Sequence, residues 1–126
     1  MQSIYQERIL QHSTHPHNFG RLQTATGKVL LENPLCGDVI QMEAEIKNGI
    51  VNNIKFTGRG CAISKAAASL LTDKAIGRQV AELQNWDKTS IINLLGIELG
   101  PNRLKCALLP LEAMHTLLAK VNTKNL

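Results

Sequence analysis

The stretch DVIQMEAEIKNGIVNNIKFTGRGCAISKAAASLL, residues 38–71, changes its apolar period partway along. From 39 to 47, Ile40, Met42, Ala44 and Ile46 alternate with Gln41, Glu43, Glu45 and Lys47. A strand sends successive side chains to opposite faces, so this alternation predicts one row on a core and the other in water. Asn48-Gly49 is a favoured pair for a two-residue hairpin turn. IVNNIKFT then returns as the partner strand, with Ile50, Ile54 and Phe56 expected on one face. Beyond Cys61 the spacing becomes three and four: Ile63, Ala66, Ala67, Leu70 and Leu71 predict a helix that ends near Gly77. Its many small residues predict that another backbone packs closely against it.

Upstream, SIYQERILQH (3–12) reads as a short amphipathic helix with Ile4, Ile9 and Tyr5 facing inward, followed by the loop HSTHPHNFGRL. TGKVLLE (26–32) suggests a further strand. Downstream, short helices are predicted at 78–84 and 89–95, the second capped by Thr89 or Ser90 and stopped by Gly96. ELGPNR reads as a loop. A last helix is predicted from Cys106 to 121, with Pro110 in its first turn and Leu109, Ala113, Leu117 and Val121 on its inner face. Residues 122–126 read as a frayed tail.

The 126 residues fit one domain, 1–126, with a modest core. With only four aromatic residues, that core has to be built from Leu, Ile, Val and Ala. Apolar runs are too short to span a bilayer and the N-terminus does not read as a signal peptide, so a cytoplasmic protein without a membrane partner is expected. The net charge is +4, yet the basic residues are scattered and no aromatic platform accompanies them. The sequence therefore predicts no nucleic-acid partner, and a basic surface suits an acidic protein instead. His12, His15, His17 and His115 read as exposed or locally bonded.

Three cysteines, Cys36, Cys61 and Cys106, are an odd set with wide gaps, which argues against a disulfide framework. Each falls at a predicted element boundary: Cys36 in the loop NPLCGD, Cys61 and Cys106 at helix starts. A helix N-terminus offers N–H groups and partial positive charge to an anionic ligand or side chain. In an extended CGD, Cys36 and Asp38 point to the same side, and Gly37 leaves room between them. Three thiolates and a carboxylate suit zinc, or iron–sulfur chemistry with one oxygen ligand. Around a divalent cation they carry a net charge of about −2, which Arg59, Arg103 and Lys105 could offset.

NPLCGD, GRGCAISKAAASLLTD and RLKCALL, with HPHNFGRL upstream, resemble the motifs of the U-type iron–sulfur cluster scaffold family: IscU, SufU and the N-terminal domain of NifU. The resemblance runs over nearly the whole chain. It implies an α+β fold, a small three-stranded antiparallel sheet with helices on one side, and a metal site at one end built from Cys36, Asp38, Cys61 and Cys106. It also implies a cysteine desulfurase as sulfur donor, a transient [2Fe–2S] cluster and apo iron–sulfur acceptor proteins. A SufU-like member would instead hold Zn2+ and act as a sulfurtransferase; an IscU-like one is a scaffold rather than an enzyme. The step from Cys61 to Cys106 is IscU-like, whereas Lys105 stands where IscU carries a histidine and Arg103-Leu104-Lys105-Cys106 resembles SufU. LGPNR sits where IscU carries its chaperone-recognition segment, and it keeps only the leucine and one proline. Cys106 is expected to take the persulfide sulfur, with Cys36 as the alternative.

Overall fold

A computed structural model describes residues 3–34 and 37–124. Among them the order is α1 (Ser3–Thr14), β1 (Gly27–Asn33), β2 (Asp38–Lys47), β3 (Ile50–Arg59), α2 (Ala62–Ala75), α3 (Val80–Leu83), α4 (Lys88–Leu95) and α5 (Pro101–Lys124). The fold is α+β. The strands form one antiparallel meander in the order β1-β2-β3, with Met42 opposite Val29 on one side and Phe56 on the other.

The predicted row Ile40, Met42, Ala44 and Ile46 is buried, and it joins α2 and α5 in a single core with Leu71, Met114, Leu117 and Leu118. Asn48 and Gly49 both take positive φ, 55° and 74°, as the tight hairpin requires. The return strand departs from plain alternation. A bulge places Ile46 opposite Val51 although Glu45 faces Asn53, so Asn52 is the extra residue. Val51, not Ile50, therefore takes the core position and is fully buried.

The opposite sheet face is not simply wet. Glu43 is only 4% exposed because the chain after α1 crosses it. The Leu22 N–H donates to its carboxylate at 2.8 Å, and Arg21 Nε lies 3.2 Å away. These contacts, the backbone hydrogen bond first, hold the Glu43 carboxyl below the usual range although burial opposes them. Residues 18–20 and 77–80 bond to the outer edge of β3, which blunts an otherwise open strand.

In α2 almost every face is covered, and Ala66, Ala67, Ala68 and Ser69 let α1 and the sheet approach closely. Helix α1 contributes Ile9 and His12, one turn apart, to that contact. The expected inward Ile4 and Tyr5 are exposed instead. Ile4 is five positions from Ile9, about 140° around the helix, and cannot share its buried face. The Tyr5 ring packs against Gly96, where a side chain would collide with it.

Helix α4 is capped by Asp87, not by Thr89 or Ser90: Asp87 accepts from the Ser90 N–H and Ser90 answers with its hydroxyl, while Gly96 closes the other end at φ 72°. Helix α5 begins at Pro101, earlier than expected, because a proline at the first helical position sacrifices no hydrogen bond. ELGPNR is therefore a loop only as far as Gly100, and Pro110 lies in the helix interior. Leu109, Ala113, Leu117 and Val121 do form the inner face. The helix continues through Lys124, past the start of the expected tail. No helix among the described residues is long and apolar enough to cross a membrane.

Candidate metal centre

Asp38 opens β2, where the core-facing row reaches the end of the sheet, and it is 5% exposed. Cys61 is the N-cap residue of α2, in extended conformation at φ −72° and ψ 167°, and its thiol makes no capping hydrogen bond. The Cys61 N–H instead donates to Asp38 Oδ1 at 3.3 Å, which joins the strand end to the helix start. A side chain at Gly60 would strike Ser64 Oγ at 2.8 Å and the Asp38 carboxylate at 3.0 Å. Glycine there lets the two elements come this close.

Cys106 enters from α5. It is buried, 8% exposed, and lies more than a turn inside the helix, so the expected helix start at this thiol is corrected. The early start at Pro101 shifts the whole first turn upstream. Cys61, by contrast, is exposed. One oxygen of Asp38 and the two sulfur atoms all lie within 4.8 Å of one another, although they come from three elements. Cys36, the fourth residue of the expected set, lies outside the described residues.

Asp38 Oδ2 is buried and has no hydrogen-bond partner among the described residues. Such a carboxylate oxygen is costly to bury unless something positive meets it. A soft pair of thiol sulfurs with one Asp38 carboxylate is a donor set that fits zinc or an iron–sulfur unit. The residues present therefore fit the group that the sequence implied.

Beside these atoms runs a cleft of about 660 Å3, walled by α1, the start of α2 and the start of α5. Arg103 and Lys105 line it together with Cys61 and Cys106, as charge compensation required. Arg59 does not line it; it ends β3 opposite Val39, beside Ser64. Leu10 gives the rim an exposed apolar edge.

Of the histidines, His15 and His17 are exposed as expected, whereas His12 and His115 are not. His12 is buried, with Nδ1 2.6 Å from Ser69 Oγ, and burial, then His17, holds its pKa below the ordinary value. His17 Nδ1 lies 2.6 Å from Asp73 Oδ2, and His115 Nε2 lies 3.2 Å from the Leu83 carbonyl oxygen. Asp73 was not singled out in the sequence; its one signal was its place as the one acidic residue of α2.

Residues 4–126 match the model of the NifU-like N terminal domain family. Among curated proteins, the chain is 30% identical to the "iron-sulfur cluster assembly scaffold protein IscU" of Buchnera aphidicola, over 96% of this chain and 98% of that one. It is equally 30% identical to the "zinc-dependent sulfurtransferase SufU" of Bacillus subtilis, over 95% and 92%. Among solved structures, a putative iron–sulfur cluster assembly scaffold protein for the SUF system from Fervidobacterium islandicum superposes with a TM-score of 0.78. It has 26% identity and covers 93% of this chain and 98% of that one.

Proposed function

The chain belongs to the NifU-like N-terminal domain family, and on that premise we propose that it is a cytoplasmic scaffold on which iron–sulfur clusters are assembled. Sulfur comes from a cysteine desulfurase as persulfide and is brought to sulfide by an external electron donor, a [2Fe–2S] cluster is built on Cys36, Asp38, Cys61 and Cys106, and the cluster passes to apo acceptor proteins. The single observation that carries this reading is the meeting of Asp38, Cys61 and Cys106, with one Asp38 oxygen left unsatisfied among the described residues.

The chemistry follows from the donors. Iron is delivered as cargo, and thiolates suit it while a carboxylate holds it less firmly. One oxygen ligand among sulfurs makes a site that retains a cluster yet releases it. Sulfur transfer needs a thiolate here to attack the outer sulfur of the desulfurase persulfide. A new S–S bond forms, the old one breaks, and the desulfurase cysteine leaves as thiolate, with no net oxidation. The receiving thiol has to be reachable. Cys106 was expected to receive the sulfur as a helix start beside Arg103 and Lys105, with Cys36 as the alternative; the cations do lie beside it, but the helix starts earlier and the thiol is buried. Cys61 is exposed on the cleft, where Arg103 and Lys105 stand ready to face anionic groups of a docking partner. LGPNR (99–103) keeps only the leucine and one proline of the IscU segment, so the chaperone contact is not part of the proposal.

A second reading is favoured by Lys105, which lines the cleft just before Cys106 where IscU would supply an imidazole. Lysine is an ammonium at neutral pH and offers no lone pair to a metal. The protein would then be a zinc-dependent sulfurtransferase, with Zn2+ held by Cys36, Asp38, Cys61 and Cys106. Bound zinc would supply a Lewis acid that keeps thiols deprotonated.

Anaerobic purification followed by metal analysis and a visible spectrum, before and after adding ferrous iron, cysteine, a desulfurase and a thiol reductant, separates the two. A coloured cluster on the reconstituted protein supports the scaffold. Zinc that stays bound without colour, while sulfur still reaches a thiol, supports the sulfurtransferase. Mass spectrometry of Cys36→Ser, Cys61→Ser and Cys106→Ser then names the receiving thiol.

A further inference from the structure

The far end of α2 carries a second gathering of metal-binding atoms. Asp73 is twelve positions beyond Cys61, about 18 Å along the helix axis. There α2 meets the end of α1 and the loop that follows it. One ring nitrogen of His12, one of His17 and a carboxylate oxygen of Asp73 lie within 4.8 Å of one another. The two imidazole rings are 4.5 Å apart between centroids, tilted by 49°.

Their surroundings resemble the support that metal ligands receive. A ligating histidine usually engages its other ring nitrogen with a carboxylate, carbonyl or hydroxyl, which fixes the ring. His12 Nδ1 meets Ser69 Oγ at 2.6 Å, which leaves that ring its Nε2 for a ligand role, while His17 Nδ1 and Asp73 Oδ2 lie 2.6 Å apart, a pair that one cation can share in place of the proton between them. Ser69 is itself fixed, since its Oγ accepts from the His17 backbone N–H at 2.8 Å. Asn18 Nδ2 donates to Asp73 Oδ1 at 2.9 Å and to Thr72 Oγ1 at 3.0 Å. A carboxylate has about four lone-pair positions, so these bonds do not exhaust Asp73. His12 is buried while His17 and Asp73 are exposed, which gives the cluster an anchored side and an open side.

We propose that His12, His17 and Asp73 form a second metal site, which takes one divalent first-row cation, Zn2+ or Fe2+. Two imidazole nitrogens and one carboxylate oxygen bind it, with water completing the shell on the open side. Two histidines and a carboxylate with open positions are a donor set suited to borderline cations. With a divalent ion the site carries a net charge of about +1, and Arg8 lies near enough to add to it, so binding is weaker than at a thiolate site. Because it shares no residue with the thiolate centre, it stands or falls separately from the proposed function.

Stepwise addition of Zn2+ to the full, reduced, metal-free chain provides the test, read by calorimetry and by NMR of the histidine rings. Two equivalents should bind, one of them shifting the ring signals of His12 and His17 together and leaving His115 in place. His17→Gln should weaken that equivalent at least tenfold and spare the other; the His17 side chain is 53% exposed, so the fold tolerates the change. Asp73→Asn keeps the shape and an acceptor for His17, so a mere hydrogen-bonded brace would survive it. A metal site would lose its affinity. One equivalent in the unsubstituted protein, or two that both variants leave unchanged, would overturn the proposal.

Discussion

Helices α2 and α4 begin in opposite ways. At α4, Asp87 and Ser90 close a reciprocal pair of hydrogen bonds, and the helix start satisfies itself. At α2, the N-cap residue is Cys61, whose thiol makes no capping bond and whose backbone N–H goes to Asp38 instead. A helix start normally recruits an oxygen to cover its N–H groups, and forgoing one costs about 1 kcal/mol. The contrast teaches that a cap position can be given over to chemistry when the same helix is held by packing. α2 is buried on nearly every face, whereas α4 commits only Ile91 and Leu95 to full burial and depends more on its ends.

The comparison breaks most sharply at Cys61. Cys61→Ser should weaken zinc binding by more than about 100-fold, since a first-sphere thiolate matters more than its outer partners. The same change should leave the metal-free protein as stable as before or up to about 1 kcal/mol more stable, because serine is a good cap. Zinc titration and thermal melting of one sample read both numbers. Asp38→Ala comes next, with zinc retention reduced about tenfold by the loss of one ligand and its charge. On an assembled cluster, transfer to an acceptor should slow, as the exchangeable oxygen is gone. Unchanged values for both would reduce Asp38 to a turn residue.

At the other helix, Asp87→Ala should lower stability by about 1 kcal/mol and leave zinc affinity untouched, measured by denaturant unfolding beside the same titration. The smallest effect concerns Glu43. Its folded pKa is depressed, so its contribution is present above the ordinary value of 4.5 and is lost as pH falls through the folded pKa. Glu43→Gln should therefore lower the melting temperature at pH 7 and match the unsubstituted protein near pH 2. A gap that persists unchanged at pH 2 would mean packing, not charge.

Where the sequence was legible, one local pattern sufficed. The alternation of β2, the Asn48-Gly49 turn and the apolar spacing of α2 each depend on residues a few positions apart. The bulge at Asn52 was hidden because it arises from how two strands twist together. Helix α5 was begun too late because Pro101 reads equally as a breaker and as a first helical residue, and only the chain before it decides. That single ambiguity also misplaced Cys106. Asp38 and Cys61 were visible through the motifs around them. His12, His17 and Asp73 were not, since their meeting depends on α1 lying across α2, a contact that no local spacing encodes.

Pro110 stands four residues after Cys106 and has no N–H to offer the Cys106 carbonyl, so one rung of the α5 ladder is absent. Whatever else that carbonyl meets, the helix is easier to flex at this joint than elsewhere along its length. Downstream, Ala113, Met114, Leu117 and Leu118 are clamped in the core. Upstream, the exposed turn from Pro101 to Arg103 is held far less. The Cys106 thiol sits between the two, buried, one turn before the proline. For the scaffold proposed above, a site that takes up and gives back its cargo would find its give at this joint, without loosening the body of the protein.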